Sequence, residues 1–255
     1  RHFEDACSRQ GRRKTGRFLC EGVRCCTEGI RQRPDWLEEI LVSDSFARFH
    51  PLAAFLDDLD GKLPRDPIIV PDDDLANLAE TENPQGILCL FKKGPNTLDA
   101  PPPTDPFVLI LDRIAEPGNM GTILRTAWAV GLTQVWLTKG TTDPFGSKAI
   151  RAGMGAQFAL VFRQFEHLPD AQMELRACGY GRLWISTPTG DTASTDPAFD
   201  LAASGLVIGN EATGSAVIPG SLGVRIPMPG QAESLNAAQA ATLLVFEGVR
   251  RGLLA

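Results

Sequence analysis

Ile226-Pro227-Met228-Pro229-Gly230-Gln231-Ala232-Glu233-Ser234-Leu235-Asn236 is a bent, polar loop that empties into a long apolar pattern. Pro227 and Pro229 fix φ and remove two amide donors, so the remaining amides and carbonyls point in set directions. Gly230 lets the chain turn sharply. The pattern that follows predicts a helix over Ser234–Arg251, with Ser234 as its cap and Leu235 and Asn236 beginning it. Ala237, Ala238, Ala240 and Ala241 leave room for another backbone to approach. Leu243, Leu244, Phe246 and Val249 read as its core face, and Arg250 and Arg251 suit its negative end. A buried, capped helix explains those residues. It does not explain a polar Glu233-Ser234-Leu235-Asn236 directly after a rigid Pro-x-Pro-Gly turn.

Two earlier stretches have the same character. Leu206-Val207-Ile208-Gly209-Asn210-Glu211-Ala212-Thr213-Gly214 reads as a buried strand running into a turn with a carboxylate at its tip. Gly209 would let a ligand approach the strand's C-terminal end, the usual binding edge of a parallel sheet. The plainer alternative is that Glu211 caps a helix around residues 213–216. Glu116-Pro117-Gly118-Asn119-Met120-Gly121-Thr122-Ile123-Leu124-Arg125 opens another helix, with Asn119 suited to its cap and Arg125 nearly two turns along. Its glycines do not make the Gly-x-Gly-x-x-Gly of a dinucleotide site, and no ribose-binding acid follows at the expected spacing.

Around these stretches, strands are predicted at Phe107–Leu111, Gln134–Leu137, Phe158–Phe162, Leu183–Ser186, Leu206–Ile208 and Val224–Ile226. Helices are predicted at Asn119–Val130, Ser147–Met154 and Pro169–Ala177. Such alternation implies a mainly parallel sheet covered on both faces. By pattern alone this is an ordinary doubly wound α/β fold, because true knots are almost absent from proteins.

The segment Lys93–Pro106 carries five prolines and no apolar periodicity, and so reads as a linker. The expected organisation is therefore a domain over 1–93, a Pro-rich linker over 94–106 and a second domain over 107–255. In the first domain, strands are predicted at Phe18–Cys20, Glu39–Val42, Ile68–Val70 and Ile87–Phe91, and helices at Gly22–Ile30, Phe49–Leu59 and Asp72–Glu80. That is a small α/β sandwich.

Charge is unevenly placed. The chain of 255 residues has a net charge of −6, yet residues 1–33 hold nine Lys or Arg against four acids. A local basic patch is what phosphate binding requires, and the overall charge hides it. Arg12, Arg13, Lys14, Arg17 and Arg24 are its candidate phosphate contacts; by charge alone a solvated tail is the equal alternative. No apolar run approaches the roughly 18 residues of a membrane span. Six cysteines and three histidines include no Cys-x-x-Cys pair, so reduced thiols packed as small hydrophobes are expected in place of a metal site.

In chain order, 116–125, 206–214 and 226–236, the three polar stretches resemble the motifs of the SpoU/TrmH family of RNA ribose 2′-O-methyltransferases, of the SPOUT class. The resemblance runs from about Phe107 to the C-terminus and implies a SPOUT-type trefoil-knotted parallel sheet with helices on both faces. It implies S-adenosylmethionine as cofactor, held by Ile208, Gly209, Asn210, Ile226, Met228 and Leu235. Arg125, Asn119, Glu211, Ser234 and Asn236 would form the catalytic centre. Ser147–Ala156 resembles a further family stretch, with Gly153 where serine often stands, which leaves Arg151 as the candidate phosphate contact. Arg17–Arg24 and Thr81–Gly86 resemble the two ends of an L30e-like substrate-binding domain. The family also implies a homodimer, a cytoplasmic location and no metal. Ribosomal RNA is the expected substrate, with transfer RNA as the alternative. A catalytically silent RNA-binding factor of the same fold is the other reading.

Overall fold

A computed structural model describes residues 2–48, 55, 59, 63–93, 101–215 and 217–254. In chain order the elements begin with α1 (His2–Cys7), α2 (Arg9–Thr15), β1 (Arg17–Glu21), α3 (Val23–Gln32) and β2 (Leu37–Ser43). Next come α4 (Asp44–Arg48), β3 (Ile68–Val70), α5 (Asp72–Leu78), β4 (Ile87–Lys92), β5 (Phe107–Asp112), α6 (Pro117–Ala129) and β6 (Gln134–Thr138). After these lie α7 (Ser147–Gly153), α8 (Ala156–Ala159), β7 (Val161–Phe165), α9 (Leu168–Ala177) and β8 (Arg182–Ser186). The chain closes with β9 (Thr192–Ala193), β10 (Ser204–Gly209), β11 (Leu222–Arg225) and α10 (Ala237–Arg250). The helix expected over 49–59 lies outside the described residues, Phe55 and Leu59 excepted.

The chain divides into two compact units, Arg1–Pro95 with Asp143–Ala159, and Asn96–Thr142 with Leu160–Ala255. The first has a four-stranded sheet in the order β1-β4-β2-β3. Strand alternation sends Leu19, Leu88 and Leu90 to one face, where they pack with Phe3, Ala6, Leu41 and Leu75. Phe18 and Phe91, directly opposite each other in the β1–β4 pair, take the other face and stack with ring centroids 5.7 Å apart.

Onto that aromatic pair come Phe145, 4.8 Å from Phe18, and Phe158, 4.8 Å from Phe91. These rings tie Asp143–Ala159 to the first unit, although the sequence pattern put the segment within 107–255. They also correct the strand expected over Phe158–Phe162. Phe158 belongs to the short helix α8, and the strand begins at Val161, because the Phe158 ring is buried against Phe18 and Phe91.

The charged N-terminus is structured. Phe3 and Ala6 of α1 are buried, and α2 is bounded by its own signals. Ser8 Oγ accepts from the Gly11 amide at 2.9 Å, and Gly16 closes the helix with a left-handed φ of 72°. Cys20 and Cys89 face each other across β1 and β4, with Cys25 and Cys26 on α3; all four are buried and free. Burial pushes the thiols of Cys20 and Cys26 well up, so both stay protonated and unreactive.

The second unit has a seven-stranded sheet, β7-β6-β5-β10-β8-β11-β9, with every pairing parallel. Helix α9 covers one face, where Leu168, Ala171 and Leu175 meet Val108, Ile110, Trp136, Ile185 and Val207. Helices α6 and α10 pack together on the other, joined by the Thr126 and Thr242 hydroxyls at 3.1 Å. A Cβ on Gly248 of α10 would lie 2.9 Å from the Phe107 ring, so the helix rests directly on the sheet. Only part of the expected core face of α10 is covered. Leu244 and Val245 are buried, whereas Leu243, Phe246 and Val249 are exposed by 50%, 48% and 37%.

Candidate active site

The C-terminal edge of the parallel sheet carries a cleft of ≈ 360 Å³. It lies where β10 has been inserted between β5 and β8, a crossover in strand order of the kind that opens a binding crevice. Three corners supply its walls: Ser186, Thr187 and Pro188 after β8, Ile208–Ser215 at the end of β10, and Ile226, Met228 and Glu233–Leu235 after β11. Ala237 and Ala240 of α10 complete the lining. Eight residues singled out in sequence therefore meet in one place: Ile208, Gly209, Asn210, Glu211, Ile226, Met228, Ser234 and Leu235. The Ser186–Pro188 corner was missed, although a Ser-Thr-Pro-Thr-Gly turn after an expected strand is a readable signal.

Beside the cleft, three side chains form a hydrogen-bonded line across the three motifs. Asn236 Nδ2 donates to Asn119 Oδ1 at 2.9 Å, and Asn119 Nδ2 donates to Glu211 Oε1 at 2.9 Å. The Glu211 carboxylate also accepts from the amides of Ala115 at 3.1 Å and Glu116 at 3.2 Å. Burial alone would raise the Glu211 carboxyl. The Asn119 amide and the backbone amides outweigh it and hold the group below the usual carboxylate range. Glu211 is thus an anion held by donors; from Asn210 to Gly214 the chain makes a turn, with the Gly214 amide on the Asn210 carbonyl at 2.8 Å, and residue 216 of the alternative helix lies outside the described residues.

Two caps differ from expectation. Helix α6 begins at Pro117, capped by Glu116, whose carboxylate accepts from the Gly118 amide at 3.2 Å. Asn119 is freed for Glu211 as a result. Helix α10 is capped by Asn236, whose Oδ1 accepts from the amides of Ala238 and Gln239 at 2.9 and 3.3 Å. Ser234 precedes the helix and is exposed on the cleft wall. Arg125 lies on the exposed side of α6, outside the cleft lining, and its guanidinium makes no hydrogen bond or ion pair among the described residues.

The loop from Ile226 to Leu235 makes no hydrogen bond among the described residues. Its amides and carbonyls are free for water or a ligand, and Ile208, Ile226, Met228 and Leu235 give an apolar lining. That combination of size, apolar wall and open main chain suits a nucleoside-sized ligand.

The basic candidates separate into two groups. Arg13, Lys14 and Arg24 are exposed. Arg12 instead bonds Asp143 at 2.7 Å and donates to the carbonyls of Ala6 and Cys7, and Arg17 bonds Glu38. Arg151 lies 3.8 Å from Glu21. At Gly153 a Cβ would lie 2.4 Å from Gln157 Oε1, the far end of a side chain that a serine could displace.

Residues 106–246 match the SpoU rRNA Methylase family, and residues 7–89 match an MRM3-like substrate binding domain. The chain is 33% identical over 243 residues to the 23S rRNA (guanosine(2553)-2′-O)-methyltransferase RlmP of Bacillus subtilis (strain 168), covering 94% of this chain and 91% of that one. The crystal structure of the SpoU methyltransferase AviRb from Streptomyces viridochromogenes, in complex with the cofactor AdoMet, is similar at a TM-score of 0.83 and 27% identity, over 99% of this chain and 96% of that chain. An AdoMet-bound rRNA methyltransferase from Sinorhizobium meliloti gives 0.77 and 27%, over 100% and 94%.

Proposed function

The chain belongs to the SpoU rRNA methylase family, and on that premise we infer that it methylates a ribose 2′-hydroxyl in ribosomal RNA, using S-adenosylmethionine. The observation that carries this reading is the convergence of Glu211, Asn119 and Asn236, from three separated motifs, beside a cleft whose walls fit a nucleoside. The substrate class follows the relatives, of which the Bacillus protein is named for ribose methylation of 23S rRNA. The location we assign, the cytoplasm, follows the ribosomal RNA.

Ile208, Ile226, Met228 and Leu235, with the open main chain between Ile226 and Leu235, would hold the cofactor. When bound, it supplies a methyl group already activated by a positively charged sulfur. The protein's part is to align the ribose hydroxyl, exclude water and stabilise the oxygen as its proton leaves. Alignment can supply several kcal/mol of the barrier, up to about 7–11 in ideal cases. We assign Arg125 to the developing alkoxide and the neighbouring phosphate. Its guanidinium holds its own proton too tightly to act as a base, so the proton passes to phosphate or solvent. Asn119, Glu211 and Asn236 hold the loops around it, and Ser234, exposed on the cleft wall, is assigned to the ribose. Methyl transfer from tritiated cofactor into total RNA tests the reading, and a wild-type chain that transfers none contradicts it.

We assign the exposed stripe Leu243, Phe246 and Val249 to a second copy of the chain. A row of half-exposed apolar side chains on one helix is the expected mark of a subunit contact. Arg125 is exposed on α6, the helix that packs against α10. Phe246→Glu should convert a dimer to a monomer in light scattering and reduce turnover with it. A wild-type monomer at working concentration removes the assignment. The trefoil knot is carried over with the family, supported by β10 and β11 inserting between strands laid down earlier.

RNA contact by the first unit is assigned to its exposed cations. Arg13→Ala with Lys14→Ala should weaken RNA binding and lower its logarithmic salt slope by about 1.4, at about 0.7 per phosphate contact. Arg12→Ala should instead cost about 1–3 kcal/mol of stability, because Asp143 and two carbonyls lose a charged donor. Filter binding across a salt series and urea denaturation separate the two effects.

A further inference from the structure

Asp112 closes β5 and is buried, at 5% exposure, yet it is not part of the cleft lining. A buried carboxylate persists only where donors surround it, and Asp112 has four. Oδ1 accepts from the Thr138 hydroxyl at 2.7 Å. Oδ2 accepts from the Ser215 hydroxyl at 2.6 Å and from Arg113 Nε and Nη2 at 3.3 and 3.1 Å. Ser215 and Arg113 each reach the turn that carries Glu211. We propose that Asp112 is a positioning residue: through Ser215 and Arg113 it clamps the Asn210–Gly214 turn and so sets Glu211 in its place.

The turn folds back tightly on the strand it leaves. A Cβ at Gly209 would lie 2.3 Å from the Ser215 amide nitrogen and 2.6 Å from its hydroxyl. Asn210 and Gly214 pair as an isolated antiparallel bridge, and the Asn210 Oδ1 accepts from the amides of Ala212 and Thr213 at 2.9 and 3.0 Å. Those bonds shape the turn but do not fix it to the sheet. The fixing comes from outside. Ser215 is fastened to Asp112, Arg113 Nη2 donates to the Gly214 carbonyl at 3.1 Å, and Asn210 Nδ2 donates to the Arg113 carbonyl at 2.9 Å.

Arg113 is itself held in an unusual shape. Its φ is 57°, a left-handed conformation that a side chain other than glycine seldom takes. The amide thereby meets the hydroxyls of Thr141 at 2.9 Å and Thr138 at 3.2 Å, and the guanidinium turns onto Asp112. Strain of this kind persists only where several contacts over-determine it. Here the contacts run from Thr138 and Thr141, through Arg113 and Asp112, to the turn that carries Glu211.

Two variants test the clamp in the full chain, Ser215→Ala and Asp112→Asn. Ser215→Ala keeps the carboxylate with its other three donors and serves where Asp112→Asn fails to fold. Amide hydrogen exchange at Ala212, Thr213 and Gly214 should be at least tenfold faster in either variant. Ser204→Ala is the control. It deletes a buried hydroxyl that donates to the Leu201 carbonyl at 2.7 Å, at the other end of the same strand. It should lower Tm while leaving exchange in the turn unchanged. Unaltered exchange in Ser215→Ala overturns the proposal. So does an equal acceleration in Ser204→Ala, which would make the effect one of general stability. The consequence for the cofactor rests on the methyltransferase reading: calorimetry with S-adenosylhomocysteine should show at least tenfold weaker binding in Ser215→Ala. Faster exchange alongside a wild type that binds none of that compound would support the clamp and sink the methyltransferase reading separately.

Discussion

Arg125→Ala should lower methyl transfer by about two to three orders of magnitude, the usual effect of deleting a donor aimed at developing negative charge. Stability should hardly change. Arg125 is exposed on α6 and its guanidinium bonds nothing among the described residues, so its removal strands no buried partner. Cofactor binding should also survive, because the cleft lining does not include it. The combination is diagnostic: single-turnover rate collapses while calorimetry with S-adenosylhomocysteine and the melting curve match the wild type. Arg125→Lys should recover little, since a point charge does not reproduce a planar two-pronged donor. A variant that transfers methyl groups at the wild-type rate would remove Arg125 from the chemistry.

Glu211→Gln should be the next most damaging change, and it should act on binding as well as turnover. In the wild type the carboxylate accepts from Asn119 and from the amides of Ala115 and Glu116. A glutamine brings its own N–H groups against those donors and gives up the charge that made the bonds strong. Losing such bonds costs about 1.5–3 kcal/mol each in favourable cases, so a drop of about ten- to a hundredfold in cofactor affinity is expected. A pH series adds a signature. The folded-state carboxyl lies below its ordinary value. Its contribution is therefore complete above the usual carboxylate range and is lost as pH falls through the depressed value. Wild-type stability toward urea should weaken only as pH falls below that range, and the glutamine variant should lack this limb. An acid limb of equal size in both would assign the titration to another group.

The parallel sheet was legible because fully buried stretches such as Phe107–Leu111 and Leu206–Ile208 read as unbroken apolar runs between turn signals. The cofactor walls were legible for a different reason: a stiff Pro-x-Pro-Gly loop and a Gly-Asn-Glu turn are local features that need no partner to be noticed. What escaped was long-range. Phe158, Leu160 and Phe162 alternate like a strand, and only the distant rings of Phe18 and Phe91 draw Phe158 into a helical turn. Leu243, Phe246 and Val249 looked like core because hydrophobicity does not say which partner covers it. The caps were readable in principle. Pro117 favours the first helical position, which makes Glu116 the cap, and Ser8 with Gly16 brackets a helix inside what charge alone presented as a tail. The Asp112–Ser215 bond joins residues 103 apart and leaves no trace in any window of sequence.

The return of Asp143–Ala159 to the first unit has a practical consequence for dissecting this protein. A fragment ending in the proline-rich stretch would carry the sheet but not the two rings that roof it, and Phe18 and Phe91 would face water. Such a truncation should aggregate on expression, however well its boundary matches the drop in periodicity. Splicing residues 143–159 back on through a designed connection should restore the cover over both rings. Modularity here is a property of the folded surface and not of the linear order.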